Sequence, residues 1–371
     1  MMKWEENYSK TLYEEILQDI LEKIEKNLDV FVTEYPHVGV DNRYRPEKND
    51  IWTSSFFIGM AYLAYDITGD KKYIRHRDAY LESFEKRLRE RRGISHDLGF
   101  LYTLSAVADY KLTKDSRAKE LAGRAADMLA ERYNEKGKYI QAWHEIGAGY
   151  PDANIIIDTM LNLPLLYGSG NPAYFEMAKN HAKTAAHSLV RKDYSTFHGY
   201  LVRPETGELV KGVTYQGYAD DSVWARGQAW AVYGYALTYR YTKEPLFLQV
   251  AKETEKVFRQ NLPEDCVPYW DFHFTDENPD IRDTSAAAIY CCGLLELAKY
   301  VEAEESEEYQ RIVYTILASL HKHYTLGKEY NGVLAAGMYH RNDGADECVI
   351  WGDYFYMEAV VRLLKDWELF W

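Results

Sequence analysis

Two kinds of apolar segment alternate along the chain. Six carry apolar residues on one face and charges on the other: 10–28, 71–91, 115–135, 172–190, 245–260 and 306–323. Six are apolar nearly all round: 51–67, 97–112, 154–168, 222–242, 283–302 and 353–365. Apolar positions recurring every three to four residues predict helices throughout. A one-faced helix covers a core with one side, and a helix apolar all round is enclosed by protein. The alternation predicts an outer ring of six helices packed on an inner ring of six. Five of the apolar segments end near a tyrosine and a turn, at Tyr65, Tyr110, Tyr167, Tyr241 and Tyr300. Repeated helical hairpins build a solenoid or a closed array. No polar capping repeat is visible at either end, which favours closure. The expected fold is all-α, an (α/α)6 barrel of six helical hairpins forming one domain over residues 1–371. One short β-hairpin is expected at 200–212, around Glu205-Thr206-Gly207.

The connections are unequal. Long ones enter the inner segments, at 29–50, 136–153, 191–221, 261–282 and 324–352, and short turns leave them. Long loops carry function more often than tight turns do. The elaborated end of the barrel is therefore the N-terminal end of the inner helices, whose positive dipoles favour an anion.

Composition narrows the class. The 44 basic and 58 acidic residues leave a net charge of −14, which argues against a nucleic-acid partner. Four cysteines without a C-x-x-C spacing make neither a disulfide framework nor a zinc site, and fit a reducing compartment. The polar start from Met1 to Tyr13 carries no secretory signal pattern. The longest uncharged run, 51–65, has 15 residues, short of the roughly 18 of a membrane span. A cytoplasmic location is expected, with no membrane partner, no metal and no cofactor. The 33 tyrosines and nine tryptophans suit sugar faces, although such rings also fill cores.

Candidate chemistry gathers where the inner segments begin. His96-Asp97 open the second, in I-S-H-D-L-G-F-L-Y; Asp97 suits an N-cap, which leaves His96 unexplained. Asp158 sits mid-run in N-I-I-I-D-T-M-L-N-L-P, where an ionised carboxylate is costly unless paired. Either a partner holds it or it carries a proton, as a general acid must. The stretch T-Y-Q-G-Y-A-D-D-S-V-W-A-R-G-Q-A-W (214–230) is the densest polar and aromatic cluster. In it Asp221 is a natural N-cap, and Arg226 and Trp230 share a helix face at i, i+4. An arginine there requires an anion: Asp220, Asp221 or a bound carboxylate. Further connections offer Trp143, His144, His198, Trp270 and Asp271. Arg282-Asp283 opens another inner helix, where the small residues that follow suit close packing.

These motifs resemble glycoside hydrolase family 88, the unsaturated glucuronyl hydrolases. The resemblance runs from I-W-T-S-S-F-F-I-G-M (51–60) to W-G-D-Y-F-Y-M-E-A (351–359). It is most specific at H-D-L-G-F (96–100), around Asp158, and at Q-G-Y-A-D-D-S-V-W-A-R-G-Q-A-W (216–230). It implies an α/α six-hairpin barrel that removes a 4,5-unsaturated uronic acid from the non-reducing end of lyase-generated oligosaccharides. The vinyl ether is hydrated, a proton going to C4 and water to C5, and the hemiketal opens to a 4-deoxy-5-keto-uronate. Position by position, it implies Asp158 as general acid/base and Asp97 as the second aspartate. Trp52, His96, Trp143, His198, Gln216, Arg226 and Trp230 are implied to line the substrate subsite. The partner so implied is a small unsaturated oligosaccharide.

One departure bears on substrate choice. Members preferring sulfated disaccharides carry a basic residue just before Q-G-Y and a Ser/Lys segment near the C-terminus. Here Tyr215 holds the first position and no serine follows Ser319. Glycosaminoglycan-type disaccharides without a strict 6-sulfate requirement are expected. Two alternatives share the barrel. Unsaturated rhamnogalacturonyl hydrolases of family 105 usually read R-G-N-G-W where this chain has R-G-Q-A-W. Sugar epimerases or isomerases depend on paired histidines, which would leave Asp158 unaccounted for.

Overall fold

In the computed structural model, residues 9–146 and 153–371 are described. The first eight residues of the polar N-terminal segment, and 147–152 of the predicted connection 136–153, lie outside the described residues. Outer helices are Lys10–Asn27, Arg77–Arg89, Ser116–Ala130, Pro172–Ser188, Pro245–Gln260 and Ala303–Tyr324. Between them run inner segments in the predicted order. Phe56–Thr68, Ala225–Thr242, Thr284–Leu297 and Ile350–Leu364 are continuous helices. The second inner segment runs from Leu98 to Thr113, with one π-helical stretch at Thr103–Val107. Each inner segment packs against the next, and Ile350–Leu364 packs back on Phe56–Thr68, so the ring closes as an (α/α)6 barrel.

Burial follows the sequence pattern. All residues of Thr284–Leu297 are buried. Pro245–Gln260 buries Phe247, Val250, Ala251, Thr254, Glu255 and Phe258, one face at helical spacing. At the C-terminal end of the inner helices the chain closes the barrel with Trp367, Leu369, Phe370 and Trp371, all buried. Trp371 stacks on Phe355 at 5.9 Å, and its indole N–H donates to Glu358 Oε2 at 2.8 Å.

The third inner segment departs from expectation. In place of a helix over 154–168, Ala153–Ile156 is a strand, Ile157–Leu161 a 3-10 turn and Pro164–Tyr167 a single α-helical turn. The β-branched pair Ile155-Ile156 suits a strand. Pro164 has no N–H to donate, so a helix cannot run through it. The strand adds to the predicted hairpin, seen as Gly199–Val202 and Leu209–Val213, to make a three-stranded antiparallel sheet.

This 3-10 turn sits close on the second inner segment because of one glycine. A Cβ on Gly99 would lie 2.3 Å from Asn162 Cα. In the space left, Asn162 Oδ1 accepts the Phe100 N–H at 2.6 Å. Gly99→Ala is expected to force the two segments apart and cost about 1–3 kcal/mol; urea unfolding measures it, and an unchanged midpoint would contradict the close docking.

Candidate active site

The N-terminal ends of the inner segments surround a cavity of about 400 Å³. It is lined by Trp52, His96, Asp97, Trp143, Asp158, His198, Gln216 and Arg226. Of the nine residues singled out in the sequence, the cavity brings together all but Trp230. Ile156, Tyr215, Tyr339, His340 and Asp343 complete the lining.

Asp158 opens the 3-10 turn rather than sitting mid-helix. Its Oδ2 is buried with no hydrogen-bond partner, and burial pushes the carboxyl up to about 7. Arg226 pulls the other way, and the negative charge of Asp97 adds to the rise. Near neutrality a large fraction of Asp158 therefore carries a proton.

His198 faces it, with Nε2 3.7 Å from Asp158 Oδ2. The Nδ1 atom accepts the backbone N–H groups of Tyr215 and Gln216 at 3.3 and 3.2 Å. An accepting Nδ1 leaves the proton on Nε2, directed towards Asp158. Burial, reinforced by Arg226, holds His198 far below its ordinary value, so it is neutral. The ring stacks on Trp224 at 4.2 Å. His96 is also held below its usual value by burial; its Nδ1 meets Thr159 Oγ1 at 2.9 Å and its Nε2 lies 3.4 Å from Asp97 Oδ1. Asp97 makes no side-chain cap, contrary to the simplest reading of its position. Its carboxylate accepts from Ser95 Oγ at 2.8 Å and is otherwise presented to the cavity.

Three expectations are corrected. Arg226 pairs with neither Asp220 nor Asp221. Its Nη1 donates to Asp283 Oδ2 at 2.7 Å and to the Met338 carbonyl, and Nη2 donates to the Tyr339 carbonyl at 3.2 Å. Asp283 opens the neighbouring inner helix and reaches across, whereas Asp220 accepts the Thr214 N–H at 2.8 Å. Asp221 does not cap the fourth inner helix, which starts at Ala225 with Trp224 at the N-cap position. Trp230 does not line the cavity. Four residues beyond Arg226 on the same face, it lies about 6 Å deeper along the helix axis. It is fully buried against Phe100 and Phe355, both at 5.5 Å. From there its indole N–H, which has no hydrogen-bond partner of its own, favours the ionised form of Asp158.

Aromatic rings form the walls. Trp52 leans on Trp351 at 4.9 Å, and Trp143 meets Tyr215 edge-on at 4.6 Å. Such walls, two carboxyl groups and a neutral histidine suit a planar, polar ring, with one acid able to give and retake a proton. Among the described residues no group of three or more His, Cys, Asp or Glu is arranged to hold a metal ion.

Comparison with known proteins places this geometry. The profile of Glycosyl Hydrolase Family 88 matches residues 23–365. The chain belongs to glycosyl hydrolase family 88. Among its family 88 relatives, the unsaturated chondroitin disaccharide hydrolase of Streptococcus agalactiae serotype III (strain NEM316) is 42% identical. That match covers 98% of this chain and 94% of the relative. The crystal structure of unsaturated glucuronyl hydrolase from S. agalactiae superposes with a TM-score of 0.94 at 41% identity, covering 99% and 95% of the two chains. A further structure, a variant of such an enzyme described with dGlcA-Glc-Rha-Glc, matches with a TM-score of 0.90 at 38% identity, over 95% and 96%. This chain is accordingly a glycoside hydrolase of the α/α-barrel type.

All but one of the residues that sequence reasoning missed come from one place. Tyr339, His340 and Asp343 lie on or beside the hairpin of Gly337–His340 and Asp343–Glu347, inside the long connection 324–352. The signal was present in the cluster Asn342-Asp343-Gly344: Arg341 and Asn342 make the turn, and Gly344, at φ +73°, follows inside the second strand. Ile156 stayed hidden because its segment reads as a helix.

Proposed function

We propose that this family 88 hydrolase releases 4-deoxy-5-keto-uronate from the non-reducing end of lyase-generated unsaturated oligosaccharides, with Asp158 as general acid and then base. The observation carrying this reading is the buried carboxyl of Asp158, pushed up to about 7 inside a cavity shared with Asp97 and His198. In the neutral form Asp158 gives its proton to C4 of the vinyl ether. The resulting carboxylate takes a proton from the water that adds to C5, and the hemiketal opens to release the aglycone sugar. Asp97 holds the substrate beside it, and the Nε2–H of His198 steadies the carboxylate that forms. Trp52 and Trp143 flank the ring plane. Arg226, bound to Asp283, contributes its positive field to the uronate site rather than a free fork.

Aglycone choice follows from the rim. The Tyr215 hydroxyl, pushed up to about 12 by burial, is neutral, and Asp343 adds a negative charge to the lining. Neither attracts a sulfate, so unsulfated chondroitin or hyaluronan disaccharides are the substrates we assign.

The test is ultraviolet absorbance of an unsaturated disaccharide, since the conjugated enol ether absorbs and the hydrated product does not. A steady fall supports the reading; a flat trace across glycosaminoglycan and pectin-derived disaccharides overturns it. A pH series adds a second check. A proton donor with a raised pKa works below that value, so kcat/KM is expected to decline about tenfold per unit as pH rises beyond about 7. A rate that instead climbs through this range would assign Asp158 the opposite role.

A further inference from the structure

We infer that Tyr218, His273 and Arg341 form a second saccharide subsite on the rim of the cavity, taking the third unit of an unsaturated oligosaccharide and favouring one that bears a carboxylate. The inference rests on the unsaturated-uronyl reading above.

The cavity, at about 400 Å³, is near the small end of ligand pockets, which run from about 300 to 1,000 Å³. A chain longer than a disaccharide must leave it across the rim. Among the described Phe, Tyr and Trp residues Tyr218 is the one that is well exposed, at 46%. The other described Phe, Tyr and Trp rings are buried or half-buried, so packing alone does not account for this one. Its ring lies flat on that of His273, with centroids 4.1 Å apart and planes 8° apart. The pair is a built feature. The buried Asp271 accepts the Tyr218 N–H on Oδ2 at 2.9 Å and the His273 N–H on Oδ1 at 3.0 Å. One carboxylate, absent from the cavity lining, thus fixes both backbones.

Position connects the platform to the cavity. Tyr218 lies two residues beyond Gln216, and Arg341 follows His340; both Gln216 and His340 line the cavity. Both come near Trp270, with the Tyr218 ring 6.5 Å from it and the Arg341 guanidinium 5.9 Å from its centroid. Arg341 is exposed, and its ion pair with Asp280 is loose at 3.8 Å. A flat ring offers a sugar face its apolar side, and a neighbouring guanidinium suits a carboxylate. In a chain of alternating uronate and hexosamine, the third unit carries that carboxylate.

The test compares an unsaturated glycosaminoglycan tetrasaccharide with the matching disaccharide, using the wild type, Tyr218→Ala and Arg341→Ala. Each variant is expected to lose about fivefold to tenfold in kcat/KM on the tetrasaccharide, through KM, while disaccharide turnover stays within about twofold. Reducing the third-unit carboxyl to an alcohol is expected to cost the wild type as much as Arg341→Ala does, and the variant nothing more. Equal losses on both substrates, or none on either, would overturn the subsite. Failure of the wild type to consume even the disaccharide would instead refute the proposed reaction. The subsite would then be judged by calorimetry with the saturated tetrasaccharide, whose binding must weaken in Tyr218→Ala for the inference to stand.

Discussion

Asp158→Asn is expected to lower kcat by about three to four orders of magnitude, the upper range for loss of a general acid/base. Asparagine keeps the shape and the buried position but has no proton to give. KM should move little, because nothing else in the cavity wall changes. The same substitution is expected to raise stability. The folded-state pKa of Asp158, about 7, lies above its ordinary value, so the native state holds this proton more tightly than the unfolded chain. That contribution is complete below about pH 4 and is lost as pH rises to about 7. Above that, the ionised carboxylate with its unpartnered Oδ2 is a net cost. The variant should therefore gain on the order of 1–3 kcal/mol over the wild type at pH 8, and less at pH 6. Thermal melts at both pH values, with the absorbance assay, measure the two effects. Retained turnover would remove Asp158 from the mechanism, and a destabilised variant would contradict its electrostatics.

Asp283→Ala is expected to be among the most damaging single changes outside the cavity lining, at about 3–5 kcal/mol. Asp283 is buried and bonds Arg226, itself only 1% exposed. The same carboxylate caps the helix Thr284–Leu297 through the N–H of Ser285 at 3.1 Å and of Ala286 at 3.4 Å. Alanine would leave a buried guanidinium with two carbonyls and no hydrogen-bonded carboxylate, and would uncap an inner helix. The loss is a large share of a typical folding free energy of about 5–15 kcal/mol. Urea unfolding of Asp283→Ala, Arg226→Met and the double variant forms a cycle. The double variant should be more stable than Asp283→Ala alone, because removing both charges leaves nothing unpaired. A double variant no better than the single would show that the cap, not the ion pair, sets the cost.

How much of this was legible in the sequence depended on the range of the interaction. The two rings and their order were readable because each helix states its environment locally. Pro245–Gln260 shows one apolar face, and Thr284–Leu297 shows apolar residues all round. The site's location followed from loop lengths. What failed was whatever depends on a partner distant in sequence. Ile155 and Ile156 read equally as buried helix or as strand, and the pairing with Gly199–Val202 decides. Arg226 announced the need for an anion, but the one it takes is 57 residues on, nearer in space than Asp220 or Asp221. Trp230 kept its predicted face and lost its predicted role through depth, which a helical repeat does not report. The assignment of Asp97 and Asp158 came from resemblance; their placement on one cavity is a matter of geometry, made possible by Gly99.

The docking of Lys10–Asn27 on Ile350–Leu364 has a consequence for how the chain is made. A helix made early finds its neighbour in one made more than 300 residues later. At about 5–20 residues per second, synthesis of the stretch between Asn27 and Ile350 takes on the order of 15 to 65 s. Throughout that interval the apolar inner helices already made have an open seam, with Phe56–Thr68 uncovered on the side that Ile350–Leu364 will fill. Closure thus joins segments more than 300 residues apart, an association of the kind that folds slowly. Nascent chains stalled before residue 350 should consequently depend on chaperones, whatever the stability of the finished ring.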